Sequence, residues 1–273
     1  MAATKIARLL DHLGYKHTGS TAETIALCID KSRAKRRLMA HGIPTPRHQI
    51  FTQPAGFYRY RFPAIVKPVA DDASIGIDAE SVVTSHEGLL RRVEYILRCH
   101  RQAALVEEYI GGREFSVAMW GNETVHTLPI TEINYSAALA PLQRILTYDS
   151  KWDPASFDYQ HTPTRCPARL SPEERQRISE TAIQTYRAVG LRDYGRVDIR
   201  YHNGIPYVID INEIPDLAPD AGFPKAARVA GYTYAEMVEQ ILKFALQREG
   251  WQWQPLASKS VSPQPQMVNA SSD

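Results

Sequence analysis

Apolar side chains recur along most of the chain with one of two periods. Ile6, Leu9, Leu10 and Leu13 fall at helical spacing over 4–13, and Gly14 supplies the stop. A second helix opens near Asp30, runs from Lys31 to Met39 and ends at Gly42, ahead of the stiff Ile43-Pro44-Thr45-Pro46. Residues 86–99 have a helical pattern. Ser171-Pro172-Glu173-Glu174 sets a capping serine before a proline and two acids, which predicts a helix to about Val189 with Gly190 beyond its end. An amphipathic helix over 233–248 closes the folded part. Strand signals alternate with these helices: Ala64–Lys67, stopped by Pro68, then Ala104–Ile110 and Glu114–Trp120, read as a hairpin that turns at Gly111-Gly112-Arg113. A second hairpin spans 196–212 and turns at Asn203-Gly204. Interleaving of this kind predicts an α/β or α+β fold. Between them, residues 134–167 carry four prolines and no lasting period, the mark of a functional loop. The tail from Pro255 is rich in Ser, Pro, Gln and Asn and reads as disordered.

Composition narrows the class. The chain has 273 residues, 44% of them hydrophobic, enough for a sizeable core and too apolar for wholesale disorder. No window approaches the roughly 18 apolar residues of a membrane span, and the start lacks the apolar core and cleavage site of a secretory signal. With 32 Lys and Arg against 30 Asp and Glu, there is no broad basic field for nucleic acid. Cys28, Cys99 and Cys166 lie far apart, as reduced thiols do, and the nine histidines show neither HxxxH nor HExxH spacing. The expectation is a soluble, cytoplasmic protein without nucleic-acid or membrane partners.

Candidate chemistry centres on the second hairpin. Arg196-Val197-Asp198-Ile199-Arg200 alternates polar and apolar, and Val208-Ile209-Asp210-Ile211-Asn212 places Asp210 and Asn212 on one face with Ile209 and Ile211 opposite. Register decides what this can do. A two-residue Asn-Gly turn pairs 198 with 209 and puts the carboxylates on opposite faces. A three-residue loop with Gly204 left-handed pairs 198 with 210 and gathers Arg196, Asp198, Asp210 and Asn212, an oxygen set suited to magnesium beside nucleotide phosphates. A solvated hairpin face is the other reading. Lys67, at the end of a strand and before the small-residue stretch Asp71–Gly76, is a candidate phosphate countercharge, with Lys31 and Lys151 behind it. GxxxxGK[ST] and GxGxxG are both absent, so neither a P-loop nor a dinucleotide fingerprint is present.

Taken together, Asp30-Lys31-x-x-x-Lys35 with Gly42-Ile43-Pro44-Thr45-Pro46, Phe62-Pro63-x-Ile65-Val66-Lys67-Pro68, Val106-Glu107-Glu108-Tyr109-x-x-Gly112-Arg113-Glu114-Phe115, Leu128-Pro129-Ile130-x-Glu132-Ile133 and Asp198…Asp210-Ile211-Asn212 resemble the ATP-grasp ligases, above all the D-alanine–D-alanine ligase branch, over about 28–245. The resemblance implies an α+β fold in which two lobes with antiparallel sheets grip ATP: a small lobe over 30–110, a large lobe over 111–250, a remnant of a front substrate domain over 1–29, and the tail 251–273. It implies that Lys31 and Lys67 contact ATP phosphates and that Glu107, Glu108, Tyr109 and Ile110 form the adenine hinge. Ser74 joins the ATP-binding set, Glu114 takes the ribose hydroxyls and Lys151 reaches the γ-phosphate. Asp198, Asp210 and Asn212 hold two magnesium ions, with manganese as a substitute, and Arg196 meets the oxyanion of a tetrahedral intermediate. The implied reaction forms an acyl phosphate from a carboxylate and ATP, which an amine attacks to give an amide.

The departures from that pattern are specific. A serine of the substrate-binding network falls on Ala73, and its tyrosine partner on Trp152; the acid of the same network belongs to the front domain. The metal glutamate is Asp210, Thr/Ser-x-Pro-Gly becomes Glu213-Ile214-Pro215-Asp216, and the serine for the second substrate's carboxylate falls on Ala221. A ligase with carboxylate and amine substrates other than D-alanine is expected. An ATP-binding partner subunit without ligase activity, an enzyme of cyclisation or phosphoryl transfer, and a homodimer stay open.

Overall fold

The computed structural model describes residues 2–251; Trp253 and the tail lie outside the described residues. The helices are α1 (Ala2–His12), α2 (Ala22–Ile29), α3 (Lys31–Ala40), α4 (His86–Tyr95), α5 (Asp149–Trp152), α6 (Phe157–Gln160), α7 (Pro172–Val189), α8 (Gly222–Val229) and α9 (Tyr234–Arg248). The strands are β1 (His48–Phe51), β2 (Ala64–Pro68), β3 (Val82–Val83), β4 (Ala104–Glu108), β5 (Arg113–Gly121), β6 (Val125–Thr127), β7 (Thr131–Ile133), β8 (Thr164–Arg165), β9 (Tyr194–His202) and β10 (Ile205–Asn212). They form two antiparallel sheets, a four-stranded one in the order β1-β4-β2-β3 and a six-stranded one along β10-β9-β5-β7-β8, with β6 beside β5. The fold is the expected α+β arrangement. No helix among the described residues is long and apolar enough to cross a membrane.

Local signals place the helix ends. Asp30 caps α3 by accepting from the Arg33 amide at 3.0 Å, and α7 carries the full capping box between Ser171 and Glu174, with Gly190 left-handed past its end. The small sheet packs Val66, Ala104 and Val106 against Leu89 and Val93 of α4. The large sheet is covered along one face by α7 and over part of the other by α8 and α9. Phe115, Val117, Val197 and Ile199 meet Ile178, Ala182 and Tyr186 of α7, while Ala118 and Trp120 meet Phe223, Met237 and Ile241 of α8 and α9. Helix α3 belongs to both bodies. Ala34 and Leu38 are buried in the large core, whereas Lys35 turns toward the small sheet to meet Glu107 and Lys31 meets Asp210 of the large one.

Two expectations about pairing need correction. Strands β4 and β5 are not a hairpin: β4 pairs with β1 and β2, β5 with β6, β7 and β9, and Gly111-Gly112 carries the chain from one sheet to the other. The glycines signal the turn, but both strands find better apolar partners in separate cores. The second correction concerns the acidic hairpin. Its turn has two residues, Asn203 and Gly204, both left-handed, and Ile205 lies opposite His202. That register would set Asp198 against Ile209. A β-bulge between Val208 and Asp210 shifts it by one, so Asp210 lies opposite Asp198 and Asn212 opposite Arg196. The three-residue loop does not form; the bulge does what it was expected to do. Ile209, expected on the face away from the acids, turns with Asp210 toward the space between the sheets.

Gly112 has φ +86°, and a β-carbon there would stand 2.3 Å from the Tyr201 carbonyl oxygen, while one on Gly111 meets only the His202 ring at 3.8 Å. Gly112→Ala is expected to lower stability by more than about 1 kcal/mol and Gly111→Ala to leave it nearly unchanged, as compared by urea unfolding; equal midpoints for the two would refute the account of this crossover.

Candidate active site

Between the two sheets lies an open cleft. The small sheet contributes Ile65, Lys67, Glu107 and Glu108, the segment leading to the crossover contributes Tyr109 and Ile110, and the large sheet contributes Glu114, Asp198, Arg200 and Asp210. Ser74 and Lys151 enter from the two loops above. Ten of the thirteen residues singled out in the sequence therefore line one space. The remaining three stand behind it: Lys31 against Asp210, and Arg196 and Asn212 against Asp198.

The alternation of the strands explains the polar floor. Glu114 lies opposite Arg200 and Ser116 opposite Asp198 across the β5–β9 ladder, so their side chains share a face. Asp198 accepts from Ser116 Oγ at 2.8 Å, from the Arg196 guanidinium at 3.0 Å on each oxygen, and from Asn212 Nδ2 at 3.1 Å. Lys31 Nζ meets Asp210 Oδ1 at 2.7 Å. Burial alone would lower the pKa of Lys31 and raise that of Asp210. The pair overrides burial in both, holding the lysine above and the carboxylate below their ordinary values. Glu213, buried beside this cluster, is pushed up to about 7, chiefly by burial, with Asp72 and Asp210 adding to it.

Behind the strand that carries Lys67, a buried group of charges joins α3 to both β2 and β4. Lys35 Nζ lies 2.8 Å from Glu107 Oε1, and Lys67 Nζ lies 3.0 Å from Glu107 Oε2. Burial would raise the Glu107 pKa, but the two lysines hold it below the usual carboxylate range, while burial lowers Lys35 to about 8. The Glu107 carboxylate is thus committed to lysines. The backbone that follows is tied to neighbouring segments, where Tyr109 N donates to Pro63 O at 3.0 Å and Glu108 N to Arg47 O at 3.0 Å.

The irregular stretch 134–167 folds over the cleft and meets the Asp71–Gly76 loop. Ser74 Oγ donates to Leu146 O at 2.8 Å, Trp152 Nε1 to Ala73 O at 3.2 Å, and Tyr148 N to Ile77 O at 3.0 Å. Ser74 is therefore a latch between loops as well as a lining residue. Burial and the nearby Arg196 lower the pKa of Lys151. At the root of the loop, Tyr135 Oη and Arg200 both bond Glu114 Oε2, at 2.6 and 2.8 Å, and Tyr109 Oη donates to Pro141 O at 2.7 Å. Arg200 and Tyr135 were not singled out in the sequence. The strict alternation over 196–200 did place Arg200 on the acidic face; nothing in the sequence brought Tyr135 to it.

Hard divalent ions take oxygen ligands, and magnesium is commonly held by one or two carboxylates together with substrate phosphates. No group of three or more His, Cys, Asp or Glu side chains able to hold a metal is present among the described residues. Two carboxylates on paired strands, with an amide beside them and a cleft in front, fit that smaller requirement.

Comparison with known proteins bears on this geometry. Residues 40–243 match the family model described as D-ala D-ala ligase C-terminus. A Sinorhizobium fredii protein called uncharacterized protein y4sG is 34% identical over 247 residues, covering 90% of this chain and 70% of that one. A D-alanine–D-alanine ligase of Ralstonia nicotianae is 32% identical over 264 residues, covering 92% and 74%. Among solved structures, a D-alanine–D-alanine ligase from Bacillus anthracis superposes with a TM-score of 0.74 at 25% identity, covering 90% of this chain and 76% of that one. The VanG D-Ala:D-Ser ligase of Enterococcus faecalis shares the fold, with a TM-score of 0.71 at 23% identity over 88% of this chain and 68% of that one.

Removal of the central acid tests the lysine frame. Glu107→Gln leaves two buried ammonium groups short of a counterion and is expected to cost about 3–5 kcal/mol. Chemical denaturation measures it, and a loss below about 1 kcal/mol would mean that the frame does not hold the sheets together.

Proposed function

This chain belongs to the D-ala D-ala ligase C-terminus family, an ATP-grasp family of carbon–nitrogen ligases acting on small amino acid or peptide substrates, and from that premise we propose that it joins a carboxylate to an amine, through an acyl phosphate made with ATP, on substrates other than D-alanine. The observation that carries this reading is one cleft lined by Lys67 from one side, by Asp198 and Asp210 from the other and by Lys151 from the stretch that covers it. The two ATP-grasp lobes divide at the Ile110–Gly111 crossover, with α3 shared between them.

Adenine rests against the backbone of 108–110, and Glu114 turns Oε1 to a ribose hydroxyl, since Tyr135 and Arg200 both bond its Oε2. Lys67, fixed on a strand by Glu107, is a rigid countercharge for phosphate. Lys31 stands behind Asp210 as a second, and Lys151 reaches the terminal phosphate from the covering loop. Bound magnesium would neutralise phosphate charge, and Asp198, Asp210 and Asn212 are the groups that would hold it. Arg196, kept above its ordinary pKa by Asp198 against the opposing effect of burial, faces the developing oxyanion. The loop contacts at Ser74, Tyr148 and Trp152 exclude water, to which an acyl phosphate would be lost.

The substrate assignment is supported by what has changed together. Ala73 and Trp152 stand where the ligases resembled carry the serine and tyrosine of an amine-binding network, and here they contact each other, indole to carbonyl. Ala221 occupies the N-cap of α8 without a side-chain cap. Neither alanine offers the hydroxyl that D-alanine recognition would use, and the Trp152 indole N–H is directed at the Ala73 carbonyl.

Coupled measurement of ADP release over a panel of acids and amines tests the proposal. Release should require both substrates and magnesium, and Asp210→Asn should lower kcat by about 100-fold or more. A panel without turnover, combined with intact ATP binding, would leave a nucleotide-binding subunit in its place. The Lys151 ammonium is lost earlier on raising pH than an ordinary lysine, so the alkaline limb of kcat should fall below 10.5, and Lys151→Arg should move it upward.

A further inference from the structure

Pro44 and Thr45, outside the cleft lining, bond the backbone at the bulge, and Lys35 reaches it through Thr45. Lys35 Nζ, buried, donates to Thr45 Oγ1 at 2.8 Å, and Thr45 Oγ1 donates in turn to Val208 O at 2.8 Å. An ammonium group only donates, so its bond obliges the threonine hydroxyl to point its hydrogen at Val208. The Val208 amide donates to Pro44 O at 2.8 Å, and the carbonyl of the bulged Ile209 accepts from Lys67 Nζ at 3.4 Å. Strand β10 is the edge of its sheet, and the segment Pro44-Thr45 covers that edge where the register changes.

We propose that Thr45, oriented by Lys35, is a positioning residue that holds the bulge of β10, and with it the alignment of Asp210 opposite Asp198. This rests on the metal-binding reading of those two acids. Without the bulge, the two-residue turn would set Ile209 opposite Asp198 and carry Asp210 out of the ion's reach. Through Glu107, the same lysine also holds Lys67, so one buried ammonium sets both the phosphate countercharge and the acidic register.

The test uses the full chain with Mn2+ and a non-hydrolysable ATP analogue, free Mn2+ being followed by electron paramagnetic resonance, alongside amide exchange at 208–211. Thr45 is only half-buried, so Thr45→Val should fold. It should weaken Mn2+ binding about tenfold and speed exchange at Val208, whereas Thr45→Ser should stay within twofold of the parent. Lys35→Met should follow Thr45→Val. Wild-type Mn2+ affinity and exchange in Thr45→Val would overturn the proposal, as would equal losses in the Val and Ser variants. If the parent itself binds no Mn2+, the metal reading fails, and unchanged exchange in Thr45→Val then separately decides against the bulge-holding role.

Discussion

The position of one extra residue in an edge strand governs the chemistry of this molecule. Because side chains alternate along a strand, a register error of a single residue moves a carboxylate from one face of the sheet to the other. The tight Asn203-Gly204 turn starts the β9–β10 ladder in the register that separates Asp198 from Asp210, and the bulge at Ile209 reverses it midway. The apolar side gains as well: Val208 and Ile211 both stay in the large core while Asp210 and Asn212 turn outward. A bulge at an edge strand costs little ladder pairing on its free side, and here the free side is occupied by Pro44 and Thr45.

Gathering acids on one face creates an electrostatic problem that the structure answers with cations from other elements. Asp210 is met by Lys31 from the start of α3, and Asp198 by Arg196 from its own strand. The inverse holds across the cleft, where two lysines share one buried glutamate. Buried charges of either sign are tolerable only in such company. The result is a cavity whose opposing walls carry opposite charges already oriented by the protein, a preorganised environment for a polyanion with its counterion.

Over this cavity the covering loops are joined by few contacts, made mainly by exposed or half-buried groups: a serine hydroxyl, an indole and a backbone amide. Such contacts are individually weak. They contrast with the buried lysine frame beneath them.

Much of this was legible in the residue order. The caps and the punctuating glycines marked α3 and α7, the alternation over 196–200 marked a strand with one polar face, and motifs spread over most of the chain marked the ATP-grasp ligases. Those features are local, or are repeated at many points in register. Three matters belonged to the tertiary structure alone. The strands β4 and β5, neighbours across two glycines, joined different sheets because each found its apolar partners in a different core. The Glu107 carboxylate meets two lysines because burying a carboxylate demands a counterion, and only packing brings Lys35, 72 positions earlier, within 2.8 Å. Finally, the alignment of Asp198 with Asp210 depended on a bulge that turn chemistry alone argues against. Local sequence sets how a strand begins; what lies along its edge decides how it continues.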